Sequence, residues 1–289
     1  MKVDFVYSRH YDLIFHVLSH IKVENASDLY DEQYIKDIAR EKNGPVYDVI
    51  TAAQTIQDYY NSNFERLGVI NFLPYFCDSY DAMKKAFVTY EQFTQEDIEC
   101  FIKPLNEILN KESAFFFEYW DVLDKEREPL KQKAEMYFAE KLGKYSCVFN
   151  YFGKLCKVLM SHVITRNGRG FSFDSSHFAA LIRFPDSEKA YDFSFIQLLH
   201  EYTHGFTDSL LNMHISMNDG SHSLSENVVI VADYYLIKAV DEKLIPRYFD
   251  WVANGSNVVL NEQDFLSRFC LDTDLNSKLM ELLGDILKT

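Results

Sequence analysis

Residues 177–211 read HFAALIRFPDSEKAYDFSFIQLLHEYTHGFTDSLL, and the switch inside this stretch from an apolar run to helical spacing decides the fold. HFAALIRFP (177–185) is apolar and stops at Pro185, so it reads as a strand. From Phe193 to Leu211 there is no proline and one glycine, with Asp192 as the expected N-cap. The apolar residues there recur at three and four, which predicts a helix. Phe195, Ile196, Leu199, Thr203, Phe206 and Leu210 share one side, the expected core face. His200 and His204 run along its edge, flanked by Gln197, Glu201 and Asp208.

Working outward, CKVLMSHVIT (156–165) is a second apolar, β-branched strand, and RNGRG (166–170) carries an Asn-Gly turn signal. Together they predict a short antiparallel hairpin feeding the helix. Downstream come a polar loop, MNDGSHS (217–223), an apolar helix, SENVVIVADYYLIKAV (225–240), and an amphipathic tail, DLNSKLMELLGDILK (274–288). Upstream the pattern is helical: DLIFHVLSHI (12–21), PVYDVITAAQTIQDYYNSNF (45–64), and a long charged helix over 111–145 with an expected break at Pro129. The expected class is α+β. A mostly helical N-terminal region (1–150) precedes a region (151–289) with a small antiparallel sheet and a pair of buried helices.

Composition narrows the function. With 10 Gly and 6 Pro in 289 residues, a turn-rich β sandwich is disfavoured against long helices. A formal net charge of −15 repels phosphate backbones and anionic lipid, so neither nucleic acid nor membrane is an expected partner. Five widely spaced cysteines without a C-x-x-C predict reduced core thiols in a cytoplasmic setting. The N-terminal stretch is interrupted by Asp4, Arg9, His10 and Asp12 and reads neither as a signal peptide nor as a membrane span.

HEYTH (200–204) carries the chemistry. Imidazoles at i and i+4 stack on one helix face, so His200 and His204 can converge on a single zinc ion. Glu201, turned away from the ligand positions, can reach a water on that ion as general base. HVLSH (16–20) has the same histidine spacing without the glutamate, a reminder that spaced pairs arise without chemistry. A catalytic zinc needs a third protein ligand. The residues six and three after His204 are Leu210 and Thr207, and His214 would need a helix break that is absent. Glu226, opening an apolar helix, is the expected third ligand; the alternative is that SLSE (223–226) is a capping box and Glu226 its cap. Asp233, two turns on, is positioned to accept the free N–H of a zinc-bound histidine, and Asp208 to support His204.

HExxH with a glutamate on a following helix resembles the gluzincin-type metallopeptidases, over about residues 156–240. The resemblance implies a zincin-like, thermolysin-like core, one zinc ion held by His200, His204 and Glu226, and hydrolysis of peptide or protein substrates with Glu201 acting on the metal's water. It also implies that the strand through Ala179, Ala180 and Leu181 is a sheet edge on which extended substrate lies. It implies a His or Tyr steadying the oxyanion, for which Tyr234 and Tyr248 are the candidates, ahead of Tyr235. The position four after Glu226 is Ile230, where the family carries Asp, and no G-x-M-E-N segment is present. The competing expectation is a catalytically silent scaffold or regulator whose helical front half binds a partner.

Overall fold

Strands β1 (Val3–Val6), β2 (Leu155–Ser161), β3 (Arg169–Ser172) and β4 (His177–Arg183) form one mixed sheet in the order β1-β2-β4-β3, and the rest of the regular structure is helical, so the chain is α+β. The computed structural model describes residues 3–21, 23, 29–42, 48–151, 155–165, 167–172, 177–212, 221–253 and 260–288, without the side chains of 155, 171, 172, 212, 221 and 222. His214 and most of the expected 217–223 loop lie outside the described residues.

Two compact units emerge. A helical unit comprises Tyr7–Glu128 and Ser161–Asn167; a sheet unit comprises Met1–Val6, Pro129–Met160 and Gly168–Thr289. Residues 1–6 and 129–150 therefore group with the sheet, on the far side of the boundary expected near 150.

The helical unit holds α1 (Arg9–Leu18), α2 (Glu32–Glu41), α3 (Val49–Ser62), α4 (Phe64–Leu67), α5 (Tyr80–Thr89), α6 (Gln95–Asp97) and the front of α7 (Lys103–Lys144). Its helix starts are set by side-chain caps: Asp31, Asp48 and Ser79 each accept from amides of the first turn, and Thr94 with Asp97 forms a capping box. Buried polar pairs tie these helices together. Trp120 Nε1 donates to Asp12 Oδ2 at 2.8 Å, and Lys42 Nζ and His16 Nε2 both engage the fully buried Glu112. Through Pro129, where a break is expected, α7 runs unbroken. A proline costs a long helix one backbone hydrogen bond rather than its continuity.

The sheet unit continues with α8 (Ser146–Asn150), α9 (Tyr191–Asn212), α10 (Ser221–Val240), α11 (Ile245–Ala253), α12 (Glu262–Arg268) and α13 (Thr273–Lys288). β1 pairs in parallel with β2, Val3 opposite Cys156 and Val6 opposite Leu159, and β3 pairs antiparallel with β4. The sheet is thus mixed, not the antiparallel hairpin expected. RNGRG is not a turn joining β2 to β4: Arg169 and Gly170 belong to β3, which occupies the sheet edge beyond β4. α9 packs on β3 and β4 on one side and on α10 and α11 on another. Every residue from Ser194 to Thr203 is buried, so α9 has no solvent face over those turns, and the amphipathic expectation is replaced by a helix enclosed all round. Phe195 anchors it, with the rings of Tyr145, Phe138, Phe149 and Tyr137 at 5.2, 6.2, 6.3 and 6.5 Å. Asp192 lies inside the first turn rather than at the N-cap; a short 3₁₀ turn (Glu188–Ala190) leads in, and its carboxylate accepts from Tyr137 Oη.

None of the five cysteines is in a disulfide, but Cys100 and Cys270 are exposed, so they are not all core thiols. No helix among the described residues is long and apolar enough to cross a membrane.

Candidate metal centre

The site is built where α9 meets α10. One turn apart on α9, the rings of His200 and His204 lie 5.0 Å apart and nearly perpendicular, at 88°. Between their inner nitrogens lies the Glu226 carboxylate. His200 Nε2 is 3.4 Å from Oε2, and His204 Nε2 is 3.5 Å from Oε1. These separations exceed an ordinary N–H···O hydrogen bond of about 2.7–3.2 Å. Each ring thus faces a different carboxylate oxygen, at a separation close to the roughly 3.3–3.4 Å between neighbouring ligands of an ion with bonds of about 2.0–2.1 Å. One ligating atom from each of the three residues fits within 4.8 Å, and among the described residues no other group of three does so. Two imidazoles and a carboxylate are a zinc-type donor set, so the residues present fit the ion that the HExxH pattern implies.

Glu226 is not the cap of its helix. α10 begins at Ser221, which puts Ser223 inside the helix and Glu226 on its second turn, so the capping-box alternative falls away. The same helix delivers Asp233, two turns on and fully buried. Asp233 Oδ2 lies 2.8 Å from His200 Nδ1. An ionised carboxylate can only accept, so the proton sits on Nδ1 and Nε2 is left facing Glu226. Burial alone would depress His200, but the bond to Asp233 and the nearby carboxylates of Glu226 and Glu201 outweigh it and push its pKa up to about 10, so Nε2 holds a proton as well. A cation entering between the rings therefore displaces a proton. Asp208 is a looser companion: its Oδ1 stands 3.8 Å from His204 Nδ1, beyond hydrogen-bond range, and accepts from Ser225 Oγ at 3.3 Å.

Glu201 points toward β3. A Cβ built on Gly168 would stand 2.8 Å from Glu201 Oε1 and 2.5 Å from the Leu181 carbonyl; one built on Gly170 would stand 2.8 Å from the Glu201 carbonyl. Glycine at both positions is what lets β3 and the residue leading into it lie on the helix at Glu201. Burial, at 7% exposure, raises the Glu201 carboxyl above the usual range, opposed by the charges of His200, His204 and Arg169. Gln197 and Ser194 fix the end of β4 to α9, accepting from the Arg183 amide at 2.8 Å and donating to its carbonyl at 3.0 Å.

Three expected site elements are placed elsewhere. Ala179, Ala180 and Leu181 pair with Phe171, Gly170 and Arg169, so β4 is interior and β3 is the edge. The Tyr234 hydroxyl donates to Glu262 Oε1 at 2.5 Å and accepts from Lys238 at 3.1 Å. The Tyr248 hydroxyl, fully buried, donates to the Ile230 carbonyl at 2.6 Å. Neither hydroxyl is offered to the cluster. The residue that sequence reasoning overlooks is Trp251 on α11, whose ring centroid lies 5.0 Å from that of His200 and which stacks on Tyr248 at 18°. The spacing of Tyr248, Phe249 and Trp251 on a nine-residue amphipathic helix is the signal that would have flagged an aromatic wall.

The spaced pair in the helical unit supplies a comparison. His16 and His20 repeat the ring geometry, 5.0 Å and 88°. There, however, the nearby carboxylate, Glu112, is held by Lys42 Nζ at 2.6 and 2.8 Å, and Tyr34 Oη takes His16 Nδ1 at 3.0 Å. Two histidines four apart do not make a three-ligand cluster; a carboxylate from another helix facing both rings does. Comparison with protein-family models, with curated proteins and with solved structures returns no match to this chain.

Proposed function

We propose that this chain is a zinc-dependent peptidase built on a zincin-like core, with His200, His204 and Glu226 holding one ion and Glu201 serving as general base. The observation that carries the proposal is the convergence of His200, His204 and Glu226, one ligating atom from each within 4.8 Å, on a buried histidine oriented by Asp233. A bound zinc ion supplies Lewis acidity toward a water and toward the scissile carbonyl. Glu201, lifted in pKa by burial and one residue from His200, is suited to take a proton from the attacking water and pass it to the leaving amine. Because β4 is interior, the extended substrate would lie along the outer edge of β3, the strand whose Gly170 lies against Glu201. The cytoplasmic setting expected from the spacing of the cysteines belongs to the same proposal.

Two observations favour a second reading, a metal-holding but catalytically silent protein: Glu201 is only 7% exposed, and the hydroxyls of Tyr234 and Tyr248 are committed elsewhere. A single experiment separates the two. The chain loaded with one equivalent of zinc is assayed on a quenched-fluorescent peptide library beside Glu201→Gln. Peptidase chemistry predicts cleavage by the parent and a loss of about 10²–10⁴-fold in the variant, with zinc content unchanged. Equal cleavage by both removes Glu201 from the mechanism, and absence of cleavage in both supports the silent reading.

A further inference from the structure

Arg169 opens β3, the edge strand of the sheet, and stands between the two glycines whose positions meet Glu201. Successive residues along an extended chain face opposite sides. Gly168 and Gly170 face α9, so the half-buried Arg169 side chain leaves from the other face of the sheet. Its guanidinium then bends back along the chain, and Nη1 donates to the Gly168 carbonyl at 2.7 Å. The positive charge is thereby held beside the start of β3. Glu201 feels it: burial raises the Glu201 carboxyl, and the charges of His200, His204 and Arg169 oppose the rise.

Strand direction says what such a charge would meet. β3 pairs antiparallel with β4, and a peptide that continues this alternation on the outer edge of β3 runs from Ser172 toward Arg169. Its C-terminal end therefore arrives at Arg169, at the same end of the strand as Glu201. At about 3.4 Å per residue, the bond that Glu201 addresses and the group that Arg169 addresses lie roughly one or two residues apart. A guanidinium presents paired N–H donors that match a carboxylate. The chain's formal net charge of −15 repels anions in general, so a carboxylate brought here needs a local cation to hold it.

We propose that Arg169 binds the C-terminal carboxylate of the peptide substrate, so that cleavage falls within about two residues of the chain end. The inference rests on the peptidase reading above, and it makes Arg169 a specificity-determining residue rather than a catalytic one. An acidic side chain carries the same chemical group, and the test separates the two sources.

The test uses N-terminally blocked peptides of one sequence: a free C-terminal acid, its C-terminal amide, and an amide ending in glutamate. Each is incubated with the zinc-loaded parent, Arg169→Gln and Arg169→Lys, and the products are read by mass spectrometry. The parent is expected to cleave the free acid roughly ten- to a hundredfold more efficiently than either amide, with the difference in KM rather than kcat. Arg169→Gln should lose that preference at unchanged zinc content, and Arg169→Lys, which keeps the charge without the fork, should retain part of it. Equal cleavage of acid and amide by the parent overturns the proposal, as does a preference that survives Arg169→Gln. A glutamate amide cleaved as well as the free acid overturns the terminal assignment. Binding of the same peptides to zinc-loaded Glu201→Gln, with and without Arg169→Gln, is followed by calorimetry. If nothing is cleaved but the free acid binds more tightly than the amide only where Arg169 is present, the carboxylate site stands and the peptidase reading fails. No discrimination in either assay overturns the proposal.

Discussion

Asp233→Asn is the sharpest single perturbation of the site, because it changes charge while keeping shape. An asparagine oxygen can still accept from His200 Nδ1, so the ring keeps its orientation; only the negative charge 2.8 Å away is lost. Asp233 is fully buried, so no water screens that loss. Partners of this kind contribute about 10–100-fold to metal affinity, or about 1.4–2.7 kcal/mol. Asp208 is the built-in comparison: its carboxylate is 3.8 Å from His204 Nδ1 and its side chain is 57% exposed. At that distance and exposure an ion pair contributes about 0–1 kcal/mol, so Asp208→Asn should cost less than about fivefold. Zinc affinities of the parent and both variants, measured by competition with a chromophoric chelator at one pH and ionic strength, decide the matter. Equal losses in the two variants, or a larger loss at Asp208, would refute the reasoning that burial and contact distance rank these carboxylates.

The remaining predictions concern the frame around the site. Gly170→Ala places a methyl 2.8 Å from the Glu201 carbonyl and 2.9 Å from Phe178 Cζ, and is expected to lose about 1–3 kcal/mol in urea unfolding; Gly284→Ala, in open space within α13, should gain about 0.5–1 kcal/mol. Stability unchanged at Gly170 would mean that β3 does not lie on α9. In the helical unit, burial raises Asp12 to about 6 in the face of hydrogen bonds from Ser161 and Trp120. Its folded pKa lies above the unfolded value of 3.8, so the native state holds the extra proton and stability falls as pH rises from about 4 to 6. Measured as the parent-minus-Asp12→Asn difference in unfolding free energy, that fall should approach about 3 kcal/mol, and a difference flat in pH would contradict it.

Much of the site is legible in the sequence because helical spacing and burial chemistry are local rules. His200, Glu201 and His204 follow from one pattern, and a carboxylate in an apolar helix, Glu226, with Asp233 two turns on, marks the second contributor. The fold is legible as α+β for a related reason: an apolar run stopped at Pro185, then apolar residues recurring at three and four. What escapes is non-local. Val3–Val6 is too short to show a period, and its parallel pairing with Cys156–Leu159 depends on a partner about 150 residues away. The glycines of RNGRG signal a turn, because nothing local reveals that Glu201 is the surface Gly170 must approach. That added strand turns β4 from an edge into an interior strand. Hydroxyl direction is likewise invisible in sequence: Tyr234 and Tyr248 both lie near the site helices, but Glu262 and the Ile230 carbonyl claim them. Trp251 is overlooked because its importance comes from a ring contact, not from a motif.

The central claim is that two imidazoles and one carboxylate from a neighbouring helix hold a divalent ion. An anomalous difference map, collected at the zinc absorption edge from crystals of the zinc-loaded protein, tests it most directly. The account predicts one peak about 2.0–2.2 Å from His200 Nε2, from His204 Nε2 and from a Glu226 carboxylate oxygen. No peak between those groups, or a peak that leaves Glu226 uncoordinated, would contradict it.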